Sequence, residues 1–179
     1  LAKVLMSPTA EPACGSVRSI APITSPEAKL ETLWDLEGRK VGVGATGAIG
    51  SELLELLNDS DQYSEIHCIG RREPPTSGEK IKAHIVSYDE LDQLNFQHTI
   101  DDVFCTIGTT IKAAGSVESF KKVDRDYVYQ VGKLAQRLNV KTCSVISAIG
   151  ANKRSSNFYN QTKGEAEELL QSLGLVSLR

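Results

Sequence analysis

A tyrosine and a lysine four residues apart are the first candidates for chemistry in this chain of 179 residues. Tyr159 and Lys163 fall on a predicted helix, where this spacing puts both side chains on one face. A lysine ammonium beside a phenol favours the phenolate, so Tyr159 is predicted to act as general acid and base on a carbonyl or an alcohol. Ser147 ends the preceding predicted strand, and its hydroxyl would polarise the same oxygen. The alternative is a packed tyrosine beside a surface lysine, because this spacing is common by chance.

A glycine-rich loop between a predicted strand and a predicted helix indicates a phosphate site. Gly44 allows a tight turn, Gly47 lets the backbone approach a pyrophosphate, and Gly50 lets the helix pack closely on the strand. The first turn of that helix presents free N–H groups and a partial positive charge to an anion. The shorter fingerprint Gly42-x-Gly44-x-x-Gly47 also fits this segment, and a tight turn without a ligand is the alternative.

Two arginines follow the second predicted strand, where a protein that selects NAD carries an acid. Arg71 lies 21 positions after Gly50, and Arg72 is next to it. Guanidinium groups match phosphate oxygens, so the pair predicts a 2′-phosphate and hence NADP(H), with NAD(H) less favoured. Glu73 weakens this assignment, and two solvated loop arginines are the alternative.

The elements that must position these residues alternate along the chain. Strands are predicted at 40–43, 65–69, 81–87, 103–107 and 142–147, and helices at 48–57, 89–96, 119–138 and 159–173. This order predicts a doubly wound parallel α/β sheet in three layers, the Rossmann architecture. Val176–Arg179 reads as the start of a sixth strand, so we expect a C-terminally truncated domain.

Composition divides the chain into two parts and excludes several classes of protein. Residues 1–38 hold four of the six prolines and predict a flexible N-terminal arm, whereas 39–179 form the predicted Rossmann domain. The net charge of -3 argues against nucleic acid as a partner, and no apolar run is long enough for a membrane span. The spacing of cysteines and histidines predicts no metal site. Cys68, Cys105 and Cys143 fall in predicted strands, as buried thiols do.

Seven motifs occur in an order that resembles one protein family. They are Gly44-Ala-Thr-Gly47-x-x-Gly50, Ile69-Gly-Arg-Arg72, Cys105-Thr-Ile-Gly-Thr-Thr110, Ala114-Gly-Ser116, Val123-Asp-Arg-Asp-Tyr-Val128, Ser147-Ala-Ile-Gly-Ala151 and Tyr159-x-x-x-Lys163-Gly-Glu165. Over residues 40–179 the chain resembles the atypical short-chain dehydrogenases of the Tat-interacting-protein-like branch. The first and last motifs are shared across the superfamily, whereas the segments at 105–110 and 123–128 are more specific to this branch.

The resemblance implies a role for each matching residue. Ser147, Tyr159 and Lys163 would be the catalytic trio, with Lys163 also bonding the nicotinamide ribose. The cofactor would lie along Gly44, Thr46, Gly47, Ala48, Ile49, Gly50, Arg71, Arg72, Thr106, Ile107 and Gly108. The chain departs from the family in having Ser87 where relatives tend to have an acid near the adenine. It shows no evident counterpart of the Asn that assists many such trios, and Asp124 is nearest to that place. Relatives also continue past the present end with a small substrate-covering region, so the resemblance implies that the C-terminal substrate region is missing from this sequence.

Three functions are consistent with these features. The first is an NADP(H)-dependent oxidoreductase acting on a small carbonyl or alcohol, for which the intact tyrosine and lysine argue. The second is a non-catalytic NADPH-binding regulator of a protein partner, and the third is an epimerase or dehydratase for sugar nucleotides. A homodimer paired through helix 119–138 and a cytoplasmic location are further expectations. The acid-poor, Ser-rich N-terminal arm makes a mitochondrial location the alternative. The alternating charges from Lys163 to Glu168 predict a solvated helix face.

Overall fold

The computed structural model describes residues 2–8, 39–43 and 45–175, which form a six-stranded sheet with helices on both faces. The strands are β1 Ala2–Pro8, β2 Arg39–Val43, β3 Tyr63–Gly70, β4 Ile81–Ile85, β5 Asp102–Cys105 and β6 Thr142–Ala148. The helices are α1 Ala48–Asp59, α2 Ile111–Ala114, α3 Val117–Lys121, α4 Val128–Arg137 and α5 Phe158–Ser172. A 3₁₀ helix covers Tyr88–Gln93, and a π-helical segment, Lys122–Tyr127, joins α3 to α4.

The sheet has the order β1-β6-β5-β2-β3-β4. All neighbouring pairs from β6 to β4 are parallel, as the alternating pattern predicts, so the carboxyl ends of these five strands meet at one edge. The order reverses at β2, since β3 lies on one side of it and β5 on the other. In open sheets of this kind ligands bind outside the carboxyl ends at that reversal, which is where the glycine-rich loop begins.

Two apolar clusters lie on the two faces of the sheet, which confirms the three layers. Alternate residues of a strand point to opposite faces, and β5 shows this directly. Val103 and Cys105 belong to the larger cluster with α4 and α5, whereas Phe104 packs on the smaller cluster around Leu54 and Leu57 of α1. Helices α1, α4 and α5 therefore each bury an apolar stripe against one side of the sheet.

Strand β1 differs from the flexible arm predicted for residues 1–38. It pairs antiparallel with β6 from Ala2↔Ala148 to Pro8↔Thr142 and forms one edge of the sheet. The prediction averaged composition over 38 residues, and this average conceals the short apolar run Val4-Leu5-Met6. A short apolar run is enough for backbone pairing along an open strand edge. The strand that β1 pairs with, β6, is distant in the chain. Residues 9–38 lie outside the described residues, as does the sixth strand predicted at Val176–Arg179.

Smaller differences concern element type and length. The helix predicted over 89–96 is the short 3₁₀ helix, and the strand predicted over 103–107 ends at Cys105. The helix predicted over 119–138 is α3, the π-helical segment and α4 in succession. A π-helical turn inserts an extra residue into the helical repeat, and such turns are frequent at functional sites.

Candidate active site

The amino end of α1 is open and lacks a side-chain cap. Gly47 is the N-cap residue in extended conformation, and among the residues that the structure describes no side chain caps this helix start. A Cβ built on Gly47 would meet no heavy atom within 4 Å, so there is free space over the loop. Thr46, Ala48 and Ile49 are exposed, whereas Gly50 is buried against the sheet. Unbonded N–H groups at a helix start with open space above them fit a phosphate. Gly44 lies outside the described residues.

The end of β3 brings the two arginines to the same edge of the sheet. Arg71 and Arg72 follow Gly70 directly, and both are exposed. Since Cys68 is in register with Val43, the arginines leave the sheet beside the glycine-rich loop. Glu73 is exposed and follows them. The first positions beyond β3 therefore present two cations to a ligand held by α1.

The loop after β5 lies on the other side of the glycine-rich loop from the arginines, because β5 and β3 are the two neighbours of β2 in the sheet. Thr106 and Ile107 are half-buried, and Gly108 is exposed. The backbone N–H of Thr109 donates to Oδ2 of Asp124 at 2.8 Å, which ties the loop to the π-helical segment. A cofactor held by α1 would pass along this loop.

Helix α5 positions the tyrosine and the lysine. It begins after Asn157, whose Oδ1 accepts from the N–H groups of Tyr159 and Asn160. The Tyr159 side chain is 38% exposed, and its ring centroid is 5.8 Å from that of Phe120. Lys163 is buried, and its Nζ is 2.7 Å from Oδ1 of Asp124. The tyrosine therefore faces solvent, while the lysine one turn away forms a buried ion pair.

Ser147 makes a hydrogen bond that the sequence did not predict. Its Oγ donates to Oε1 of Glu167 at 2.7 Å, and both residues are buried. Glu167 lies two helical turns after Tyr159, about 12 Å along the axis of α5. A serine hydroxyl has one proton. In this structure that proton is engaged by Glu167, so the hydroxyl has none to donate to a carbonyl oxygen.

Two carboxylates thus contact residues of the predicted trio: Asp124 contacts Lys163, and Glu167 contacts Ser147. The sequence alone did not predict either contact. The solvated face predicted for α5 is wrong at Lys163 and Glu167, which are 4% and 3% exposed. A signal was present, because Glu167 is four residues after Lys163 and three before the buried Leu170. Asp124 carries the same signal: it precedes the buried Tyr127 and Val128 by three and four residues, so it lies on the apolar stripe.

The cysteines of the parallel strands lie in the core. Cys68, Cys105 and Cys143 are buried free thiols, as predicted, and burial raises their pKa values to about 11, about 11 and about 12. Such thiols are inert small apolar groups at neutral pH. Within the described ranges, no group of three His, Cys, Asp or Glu side chains could hold a metal ion. None of the helices described here is long and apolar enough to cross a membrane.

Comparisons with known proteins agree with this geometry. Residues 40–127 match the family described as semialdehyde dehydrogenase, NAD binding domain. Protein FMP52-1, mitochondrial, of Scheffersomyces stipitis is 34% identical over 70% of this chain and 57% of its own length. Protein HTATIP2 of Rattus norvegicus is 33% identical over 81% of this chain and 62% of its own length. The chain therefore spans about three-fifths of these curated relatives.

Solved structures share the fold at low identity. The Bordetella bronchiseptica enzyme WbmH in complex with NAD+ superposes with a TM-score of 0.61 and 20% identity, over 78% of this chain and 54% of that one. The parallel sheet, the open helix terminus and these likenesses define an NAD(P)-binding Rossmann protein with oxidoreductase-like relatives. Within that class, the chain is similar to the FMP52 and HTATIP2 proteins.

Proposed function

We propose that the protein is an NADP(H)-dependent oxidoreductase of the short-chain dehydrogenase type, which exchanges a hydride with a carbonyl or alcohol substrate. The observation that carries this proposal is the position of Tyr159. Its phenol is partly exposed, one helical turn from a buried lysine, on the helix that follows β6. The carboxyl ends of the parallel strands bring this helix to the edge that holds the open start of α1.

The residues proposed to hold the cofactor belong to the segments that follow β2, β3 and β5 in the chain. The pyrophosphate would lie on the helix start, and the 2′-phosphate between the guanidinium groups of Arg71 and Arg72, which favours NADP(H) over NAD(H). The cofactor supplies the hydride or accepts it. The proposed binding residues are Gly44, Thr46, Gly47, Ala48, Ile49, Gly50, Arg71, Arg72, Thr106, Ile107 and Gly108.

The protein's own part in the reaction is the movement of one proton. In reduction, Tyr159 gives its phenolic proton to the substrate oxygen as the carbonyl carbon gains the hydride, and solvent returns a proton to the phenolate. The positive charge of Lys163 stabilises that phenolate. Ser147 completes the proposed trio by polarising the oxygen, which requires its hydroxyl to turn from Glu167 to the substrate.

A second candidate function is an NADPH-binding regulator without turnover. The Ser147–Glu167 hydrogen bond favours it, because a serine whose proton is engaged in the core does not assist a carbonyl. Both candidates share the cofactor site, so they differ only in whether a chemical step takes place after binding. The proposed protein partner and homodimer belong to this second function as much as to the first.

The experiment that separates the two functions is a cofactor titration followed by turnover on a panel of aldehydes, ketones and alcohols. We expect NADPH to bind, and Tyr159→Phe to lower kcat/KM by about 100-fold or more with cofactor affinity retained, since proton transfer supplies about that factor. Ser147→Ala is measured beside it: a comparable loss supports its place in the trio, and unchanged kcat removes it. NADPH binding with no Tyr159-dependent turnover on the whole panel would support the regulator instead.

The names of the relatives bear on the proposed cellular location more directly than the composition of the chain does. Several FMP52 proteins similar to this chain carry the word mitochondrial in their names. These names support the mitochondrial alternative over the cytoplasmic location predicted from the sequence. Fractionation of cells that express the complete gene product would distinguish the two.

A further inference from the structure

Exposed apolar side chains gather on the segments that follow β5 and β6. Among the described residues, seven large apolar or aromatic residues are more than a third exposed, and four of them belong to these segments. They are Ile111, Val117, Ile149 and Tyr159, at 48%, 44%, 62% and 38%. Single exposed apolar residues need no explanation, whereas a group of them at one place on the surface marks a binding site.

The loop after β6 brings one of these residues to the start of α5. Ile149 directly follows the strand, and the next residue approaches the helix, since a Cβ on Gly150 would be 3.2 Å from Nδ2 of Asn160. Asn160 is the neighbour of Tyr159, and its carbonyl oxygen accepts from the N–H of Asn152 at 3.0 Å. Ile149, the most exposed of the four, therefore lies beside the helical turn that carries the proposed catalytic phenol.

Helix α3, which follows β5, contacts the same tyrosine. The Phe120 side chain is fully buried, and its ring centroid is 5.8 Å from that of Tyr159. Val117 is three residues before Phe120, so the two side chains lie on one face of α3, one turn apart. Helix α2 packs against α3 and begins at Ile111. Two segments that contact the first turn of α5 therefore each present exposed apolar side chains.

These segments offer little to a sugar or a phosphate. Residues 106–116 and 148–152 contain one charged side chain, that of Lys112. Two of their hydroxyl groups, those of Thr110 and Ser116, accept from backbone N–H groups at the starts of α2 and α3. Phosphates select cationic side chains, and sugar rings select several free donors and acceptors, whereas an apolar lining selects hydrocarbon.

Charged residues follow further along the loop after β6. Lys153 and Arg154 are exposed, and Lys153 forms an ion pair with Glu168. An apolar area bordered by polar residues is the usual composition of a groove that binds a small molecule.

We propose that the substrate is an aldehyde or ketone with a hydrocarbon chain, which lies against Ile111, Val117 and Ile149 while the carbonyl oxygen reaches Tyr159. This inference rests on the proposed function, because it names the substrate class of that same site. In reduction the carbonyl carbon gains the hydride of NADPH and the oxygen gains the phenolic proton of Tyr159, which yields the alcohol and NADP+.

The first test measures the reduction of straight-chain aldehydes, from propanal to octanal, by NADPH with the unsubstituted protein. We expect kcat/KM to rise about two- to fourfold for each added CH₂, mainly through KM, because each methylene removed from water strengthens binding by about that factor. Glyceraldehyde is the matched polar substrate, since it has the carbon skeleton of propanal with two added hydroxyl groups. Its kcat/KM should be lower than that of propanal.

The second test uses serine substitutions at two exposed apolar positions. Ile149→Ser should lower kcat/KM for octanal about fivefold or more and change the value for propanal little, which flattens the series. Leu56→Ser is the control, because Leu56 is 57% exposed on α1 and belongs to neither segment. It should leave the whole series unchanged. Thermal unfolding of both variants establishes that they are folded under the assay conditions.

The outcomes separate this inference from the proposed function. Turnover that depends on Tyr159 but not on chain length would overturn the inference and leave the proposed function intact. Equal effects of Ile149→Ser and Leu56→Ser on the series, or a preference for glyceraldehyde over propanal, would do the same. Absence of Tyr159-dependent turnover with every carbonyl compound would overturn both.

Discussion

The two arginines at the end of β3 are the basis of the proposed preference for NADP(H). Arg71 and Arg72 are exposed, follow the strand directly, and stand beside the open start of α1. A guanidinium binds a phosphate monoester through paired N–H groups, whereas it gains little from the ribose hydroxyls of NAD(H). The proposed selectivity between the two cofactors therefore depends on single residues.

We expect Arg71→Ala to weaken NADPH binding by about 10- to 100-fold, because a hydrogen-bonded charge pair is lost, and to change NADH binding little. Fluorescence titration with both cofactors measures this. Arg154→Ala is the control, since it removes an equal charge from an exposed residue in the loop after β6. An equal loss of affinity for the two cofactors in Arg71→Ala would show that the phosphate assignment is wrong.

At the scale of elements, α5 is held in place by a close approach of backbones. A Cβ on Gly164 would be 2.2 Å from the backbone N of Lys153 and 2.3 Å from the carbonyl carbon of Asn152. The backbone N–H of Asn152 also donates to the carbonyl oxygen of Asn160 at 3.0 Å. The loop after β6 thus fixes the helix that carries Tyr159 and Lys163.

Gly164→Ala should lower the free energy of unfolding by about 2 kcal/mol or more, although alanine favours helix by about 1 kcal/mol. Backbone atoms must move to admit the methyl group. Gly132→Ala in α4 is the comparison, because there the nearest atoms are the ends of Leu170 and Leu173 side chains, which can rotate. Urea unfolding of both variants tests this, and a smaller loss for Gly164→Ala than for Gly132→Ala would contradict it.

A pair of histidines between β3 and β4 contributes to the stability of the whole molecule. Nδ1 of His67 is 2.8 Å from Nε2 of His84, and Nε2 of His67 is 3.2 Å from a carboxylate oxygen of Glu65. Burial lowers the pKa of His84 below its ordinary value of 6.5. The unfolded chain therefore binds more protons than the folded chain as the pH falls through 6.5 toward the folded pKa. This contribution to stability is present above that range and is lost below it.

Between pH about 7.5 and about 5.5 we expect the Tm of the unsubstituted protein to fall more than that of His84→Gln. His98→Gln should follow the unsubstituted protein, because His98 is exposed and lies in a loop. Thermal unfolding monitored by circular dichroism at several pH values measures these slopes. Parallel curves for His84→Gln and the unsubstituted protein would show that His84 does not contribute.

Features that depend on neighbours along the chain could be predicted from the sequence alone. The spacing of apolar residues predicted the parallel strands and the helices. The glycines between β2 and α1 predicted the open start of α1. The spacing of Tyr159 and Lys163 placed them one turn apart on α5. Each of these features follows from backbone geometry over a few residues, so a pattern in one segment is enough to predict it.

Contacts between side chains that are distant in the chain became known only from the tertiary packing. Lys163 pairs with Asp124 from 39 positions away, Ser147 bonds Glu167 from 20, and β1 joins the sheet beside β6. Such partners depend on how elements pack, which the spacing of residues within one helix does not determine. The spacing places Asp124 and Glu167 on apolar stripes, but the groups that they pair with were identified only once α5 and the π-helical segment lay against the sheet, where burial without a partner would be costly.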